Sequence, residues 1–200
     1  MKILCVSDQI DPLVYSSGIK QRFGEVNFIL SAGDLPMDYL DFVSSSLNKP
    51  LYFIFGNHYA EDRDGSGGVH IGTKAVREEG LLIAGLGGSM RYNRGKNQYT
   101  ESEMYLEIFK LLPRLFFNRL FHGRYLDILL THAPPRGIHD HKDKCHTGFK
   151  AFLWFMKVFR PKYLIHGHIH LYDLSDIRST RWCDTLVINA YSHYIIDIDQ

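Results

Sequence analysis

Several short apolar runs punctuate the chain, and most of them stop at a residue with acid–base or metal-ligand chemistry. Residues 2–7 end at Asp8, and residues 27–32 end at Gly33-Asp34. Residues 51–55 end at Gly56-Asn57-His58, residues 81–86 at Gly87-Gly88, residues 126–130 at Thr131-His132, and residues 163–165 at His166-Gly167-His168. Apolar runs of this length, bounded by turn residues, predict buried strands. Helical patterns lie between several of them. A helix is predicted over 36–47, with Pro36 in its first turn and Asp34 or Leu35 near its cap. A longer one over 101–121 is expected to bend or break at Pro113, and a third over 148–159 is stopped by Pro161. Residues 171–198 lack a helical period, and 187–190 and 194–198 predict strands of an antiparallel sheet. Strand–helix alternation followed by consecutive strands predicts an α/β fold with mixed sheets. Polar stretches at 61–68 and 91–98 predict loops, the first of them mobile.

Composition refines this picture in a few places. A chain of 200 residues, 45% hydrophobic and 22% charged, suits one domain with a substantial core. A net charge of +1 supplies no global field toward nucleic acid or membrane, so any anion binding must be local. Neither is an expected partner. Cys5, Cys145 and Cys183 are odd in number and widely spaced. They form no disulfide framework, which favours a reducing compartment. The first apolar run is too short for a signal-peptide core, and no run approaches the roughly 18 apolar residues of a spanning helix. The expected location is cytoplasmic.

Most of the 11 histidines fall in the second half of the chain. Histidine is a common metal ligand and general acid–base group, so their placement carries information. In α/β sheets, ligands bind at the carboxyl ends of strands, where loops gather side chains from distant positions. Asp8, Asp34, Asn57, His132, His168 and His170 all follow predicted strands. Such a donor set suits Zn, Mn or Fe. A carboxylate such as Asp34 is able to bridge two cations, and two metals about 3.5–4 Å apart clamp a phosphoryl group during in-line displacement.

The ordered set Asp8, Gly33-Asp34, Gly56-Asn57-His58, Thr131-His132 and Gly167-His168-Ile169-His170 resembles the calcineurin-like metallophosphoesterases. The resemblance spans residues 3 to about 190 and implies a four-layer α/β/β/α sandwich of two mixed β-sheets, with residues 1–200 as a single such domain. It implies two divalent ions at one sheet edge. Asp34 would bridge them, Asp8 and His170 would hold the first, and Asn57, His132 and His168 the second. His58 would protonate the leaving oxygen, and a metal-bound hydroxide would be the nucleophile. The implied activity is hydrolysis of a small phosphoester, a diester favoured over a monoester. A nuclease or nucleotide phosphodiesterase with the same site, and a non-catalytic metal-binding scaffold, are the competing readings. Two positions depart from the family pattern. Ile10 stands where a ligating histidine is expected, so the first site should be weaker or ligated partly by water; Asp11 reads as a turn residue before Pro12, with a role as substitute ligand as the alternative. Tyr59 stands where an acidic residue usually follows Asn-His.

Other features are less specific. Arg91, Arg136 and His146 are candidate substrate contacts, since an arginine fork suits phosphate oxygens and His146 precedes an expected helix start. Residues 139–146 read as a substrate-side loop, with a structural Zn site as the alternative. Asp34 has a competing reading as a helix cap. Residues 110–124 mix basic and apolar side chains. They read as a core-facing helix with Arg114, Arg119 and Arg124 in solvent, against docking to a partner or membrane interface. Phe149, Phe152, Trp154, Phe155 and Phe159 read as a core stripe, and His166 as a core or supporting histidine. The sequence leaves metal identity, substrate and oligomeric state open.

Overall fold

Each apolar run becomes a strand, and alternation within it decides which layer each side chain joins. The computed structural model describes residues 1–58, 67–173 and 175–198. Tyr59 and residues 61–66 of the expected mobile loop lie outside the described residues. In chain order these form β1 (Lys2–Ser7), α1 (Ile19–Phe23), β2 (Phe28–Ser31), α2 (Met37–Leu47), β3 (Leu51–Phe53), β4 (Val69–His70), β5 (Ala75–Glu78), β6 (Leu81–Leu86), β7 (Ser89–Met90) and β8 (Gln98–Tyr99). They continue with α3 (Glu101–His122), β9 (Ile128–Thr131), α4 (Lys150–Phe159), β10 (Tyr163–His166), β11 (Ser179–Trp182), β12 (Thr185–Asn189) and β13 (Ser192–Asp197).

Two mixed sheets result. The first has the order β13-β1-β2-β3-β4, parallel except at β13. The second has the order β11-β12-β10-β9-β6-β5, parallel through its four central strands and antiparallel at both edges. Side chains alternate between the faces of each strand. In β1, Ile3 and Cys5 enter the core shared with Ile83, Ile128, Leu130 and Ile165 of the second sheet, while Leu4 and Val6 pack with α1 and α2. In β6, Leu81 and Ile83 face the first sheet, and Leu82, Ala84 and Leu86 face α3 and α4. The layers are therefore helix, sheet, sheet and helix, as the resemblance implies. Central strands are buried on both faces, which is why they read as continuous apolar runs.

Three sequence expectations need correction. Helix α3 is not broken at Pro113 but runs through it. Proline removes the bond to the carbonyl four residues earlier. Here both Pro113 and Phe109 are exposed, so the lost bond falls on the helix's outer face rather than in the core. The strands near 187–190 and 194–198 do not share one antiparallel sheet. β12 lies parallel to β10 in the second sheet, whereas β13 pairs antiparallel with β1 in the first. The third helix begins at Lys150 rather than Gly148. The aromatic stripe of α4 is core as expected, with Phe149, Phe152, Phe155 and Phe159 buried.

Asp127 ties β9 into the second sheet. Its side chain is almost fully buried, accepts the Leu82 N–H at 2.9 Å and pairs with Arg124 Nε at 2.8 Å. Asp127→Ala leaves that buried N–H without an acceptor, and the unfolding free energy should fall by about 1–3 kcal/mol. Urea denaturation measures this, and an unchanged midpoint would refute the assignment.

Candidate metal centre

The parallel strands of both sheets deliver their carboxyl ends to one place. Asp8 follows β1, Asp34 follows β2, Asn57 follows β3, His132 follows β9 and His168 follows β10. Asp8, Asp34 and His168 adopt φ of 64°, 55° and 66°. This left-handed region favours glycine, and holding another residue there costs about 1–3 kcal/mol, a strain that clusters at functional sites. Glycines give the approaching backbones room. A Cβ on Gly56 would lie 2.1 Å from Asp34 Oδ1, and one on Gly167 would lie 2.4 Å from Asp8 Oδ2.

His132 is fully buried at the centre. Its Nδ1 lies 2.8 Å from the Ala32 carbonyl oxygen and must donate to it. Its Nε2 then faces Asp34 Oδ2 at 3.2 Å and Asn57 Oδ1 at 3.0 Å. The Asn57 amide is oriented by its Nδ2, which donates to the Tyr92 hydroxyl at 3.1 Å. With Nδ1 carrying the proton, Nε2 offers a lone pair toward two oxygens that only accept. Three such atoms converge stably only around a cation, either a proton or a metal. In the metal-free protein a proton meets the need. Burial disfavours the charged imidazole, yet the Asp34 carboxylate outweighs it and raises the His132 pKa to about 9. Burial likewise opposes charge on Asp34, but His132 and the His58 N–H, which donates to Oδ1 at 2.9 Å, hold its carboxyl well below the usual carboxylate range.

His168 completes the group. Its ring lies 4.9 Å from that of His132 between centroids. Its Nε2 donates to the Cys145 carbonyl at 2.8 Å, which leaves Nδ1 as the free lone pair. Burial pushes its pKa down to about 3, so the ring is neutral, as ligation requires. Asp34, His132 and His168 present donor atoms within 4.8 Å of one another, a group able to hold a metal ion. The donor chemistry fits a divalent ion of the Zn, Mn or Fe type.

The remaining sequence candidates lie at different distances from this group. Asp8 touches it through its Oδ2, which accepts the His168 backbone N–H at 2.8 Å, and burial pushes its carboxyl up. His170 is exposed, with Nδ1 2.8 Å from the Tyr172 hydroxyl and its ring against Tyr191. Ile10 is 42% exposed. Asp11 is committed elsewhere. It accepts from the Leu13 N–H and the Ser192 hydroxyl and pairs with His193, as a turn residue would. Asp34 does not cap α2, whose N-cap is Pro36 without a side-chain bond. Arg91 is held by Glu103 at 2.9 Å and by the Gln98 carbonyl. Arg136 Nε is buried without a hydrogen bond, 4.0 Å from Asp140 Oδ2. His146 lies tilted beside His168 at 5.3 Å and is held by Asp143. At the helix start expected to meet an anion, the Ala151 N–H already donates to Glu101, and the Gly148 N–H just before the helix donates to Asp140.

Supporting residues escaped sequence reading. Tyr92 aims Asn57, and Asn97 Nδ2 donates to the Gly56 carbonyl at 3.1 Å. Both come from the 91–98 loop, whose polarity was legible but whose contacts were not. His166 fits its supporting reading. It accepts from His139 at 2.8 Å and donates to the Gly167 carbonyl at 2.9 Å, and Thr180 donates to the far side of His139. Burial lowers both pKa values, to about 4 for His139 and about 3 for His166, so the chain is neutral.

A pH dependence follows. The His132 pKa lies above its ordinary value of 6.5, so its stabilisation is fully present below about 6.5 and is lost as pH rises through about 9. Thermal midpoints in chelator should fall across that window. Added Zn²⁺ or Mn²⁺ should remove the fall, because the metal replaces the proton, and calorimetry in buffers of different ionisation enthalpy should register proton release. Midpoints that stay level in chelator would contradict the proton-for-metal account.

Comparisons with known proteins agree with this construction. No curated protein sequence matches the chain. Among solved structures, TT1561 of Thermus thermophilus is 14% identical, with 96% of this chain and 89% of that one covered and a TM-score of 0.65. A novel archaeal phosphodiesterase is 15% identical, covering 98% and 93%, with a TM-score of 0.52. A phosphopantetheinyl hydrolase from Mycobacterium tuberculosis is 13% identical, covering 95% and 88%, with a TM-score of 0.51. At these identities the likeness is one of fold. The family model for calcineurin-like phosphoesterases matches residues 1–172, and with its strand-end residues and two-sheet sandwich the chain belongs to that family.

Proposed function

We propose that the protein is a metal-dependent hydrolase of small phosphoesters, a diester preferred over a monoester, with residues 1–200 acting as one catalytic domain. The observation that carries this reading is the convergence of acceptor atoms from Asp34, Asn57 and His132 beside the neutral His168. Asp34, Asn57, His132 and His168 would hold one divalent ion. Asp8, Asp34 and His170 would hold a second, weaker one. Ions there supply Lewis acidity toward phosphoryl oxygens and activate water. His58 is exposed, and its backbone N–H is fixed on Asp34, which suits a proton donor to the leaving oxygen. Arg136, with its unbonded Nε–H, and His146, whose ring lies tilted beside that of His168, suit contacts to the substrate. The phosphodiesterase and phosphopantetheinyl hydrolase among the structural neighbours are in keeping with this substrate class.

A non-catalytic one-metal scaffold is the second reading. It is favoured by Ile10 and by the turn of His170 toward Tyr172. The two readings separate in one set of measurements. Hydrolysis of bis- and mono-p-nitrophenyl phosphate with Mn²⁺ or Zn²⁺ is expected, faster on the diester. His58→Ala should lower turnover by about 10²–10⁴-fold with metal content intact. Ile10→His should raise affinity for the second ion. One equivalent of metal with no turnover on either ester would establish the scaffold instead, and loss of metal in His58→Ala would refute the assigned role.

A further inference from the structure

Helix α3 buries one face and leaves the other bare. Met104, Ile108, Leu111 and Leu115 pack into the core. Leu106, Phe109, Phe116, Phe117, Leu120 and Phe121 are between 45 and 77% exposed. At about 100° per residue, the first five form one stripe opposite the core face, with exposed Pro113 in its middle. Scattered exposed apolar side chains are ordinary, but an aligned row along one helix marks a surface built to be covered. Trp154 of α4 stands at its side, its ring against those of Tyr105 and Phe109.

The charge around the stripe identifies its occupant. From Ile108 to Leu126 the chain has no acidic residue, while Lys110, Arg114, Arg119 and Arg124 are basic. Lys110 is paired with Glu107, and Arg124 with Asp127. Arg114 and Arg119 lie on opposite flanks of the stripe and meet no carboxylate among the described residues. Their guanidinium carbons sit 5.2 Å from the Phe117 centroid and 5.9 Å from the Tyr125 centroid. A second copy of the chain fits this pattern poorly. A two-fold axis through the middle of the stripe passes beside Arg114 and sets like charge against like charge. An anionic bilayer fits both features. Phenylalanine and leucine side chains enter the boundary between headgroups and acyl chains, and the arginine heads reach lipid phosphates.

We propose that the exposed face of α3 docks the protein on an anionic lipid bilayer. It lies on the surface rather than crossing it, and no helix among the described residues is long and apolar enough to span. This departs from the expectation that a membrane is no partner, which rested on the small net charge and on reading residues 110–124 as a core-facing helix. The proposal is independent of the phosphoesterase reading.

Co-sedimentation of the full chain tests it, using vesicles of phosphatidylcholine alone or with about one-third phosphatidylglycerol. Binding is expected on the anionic vesicles, much less on the neutral ones, and it should weaken as salt rises. Phe117→Ser with Leu120→Ser, and separately Arg114→Gln with Arg119→Gln, should each weaken binding by about tenfold or more, with circular dichroism and thermal midpoint unchanged. Absence of binding to the anionic vesicles overturns the proposal, as does binding that both variant pairs leave intact. A concentration-dependent dimer in light scattering that the Phe117 and Leu120 changes dissolve assigns the face to a second copy and also overturns it.

Discussion

The meeting of His132 Nε2 with Asp34 Oδ2 and Asn57 Oδ1 is the constraint around which the molecule is arranged. These atoms repel one another unless something positive stands among them. A fold that holds them within 3.2 Å therefore stores a demand for a cation. That demand joins the two sheets. His132 belongs to the second sheet, yet it donates to Ala32 and faces Asp34, both at the end of a strand of the first. The His168 N–H makes a second tie of the same kind, reaching from the end of β10 in the second sheet to Asp8 at the end of β1 in the first. The inter-sheet core brings the two edges together by apolar burial, and the polar contacts then fix their register at the site. Left-handed backbone at Asp8, Asp34 and His168 is the local cost of pointing three side chains inward from tight strand ends.

Much of this was legible because strand ends leave a sequence signature. An apolar run must stop where the sheet meets solvent, and a polar residue there is conspicuous whatever its contacts. Asp8, Asp34, Asn57, His132 and His168 were visible for that reason. The residues that orient them were not. Tyr92 acts through its hydroxyl on Asn57, and Cys145 acts through its main-chain carbonyl on His168, so its side chain gives no hint. The assignment of β12 and β13 to different sheets was equally hidden. Residues 190–191 between them are too few to suggest a change of layer, and only the pairing partners β10 and β1 decide it. Helix α3 misled in another way. Its periodicity was read as one core-facing stripe, whereas two stripes are interleaved, and a bare apolar face looks like a second core face in sequence.

The two halves of the proposed centre differ for a physical reason that lies outside the ligands themselves. Asp11 is one residue beyond the missing histidine and carries a carboxylate of the right chemistry for a substitute. Its carboxylate instead closes a turn at Leu13 and binds Ser192 and His193 of β13. Those bonds hold its carboxyl below the ordinary range despite its burial. Moving it toward a metal would leave His193 and Ser192 unpaired, so water is the cheaper ligand. His170 is exposed and has its Nδ1 on the Tyr172 hydroxyl, which leaves only Nε2 for a metal. On the proposed reading, one ion is held by buried side chains that already converge, and the other by Asp8 and Asp34 with an exposed His170 and water.

The same reasoning bears on how a negatively charged substrate could approach a site edged by acidic side chains. Asp140 and Asp143 flank the approach, but their carboxylates are consumed locally. Asp140 accepts the Gly137 and Gly148 N–H groups, and Asp143 accepts those of Cys145 and His146 and pairs with the His146 ring. Accepting backbone donors spreads a carboxylate's charge and lowers its pull on solvent cations. The result is a fastened loop rather than an acidic patch. It presses the Cys145 carbonyl onto His168, and the rings of His141 and His146 line a cavity of about 380 Å³ together with His170, Tyr172, Asp173 and Asp176. Asp173 and Asp176 are likewise engaged by the local donors of Tyr172, Asp173 and Ser175, so on the proposed reading the imidazoles would be left to meet an anion while the Cys145 carbonyl fixes the tautomer of His168. On that reading the carbonyl of Cys145 would tie the shape of the substrate side to the metal chemistry.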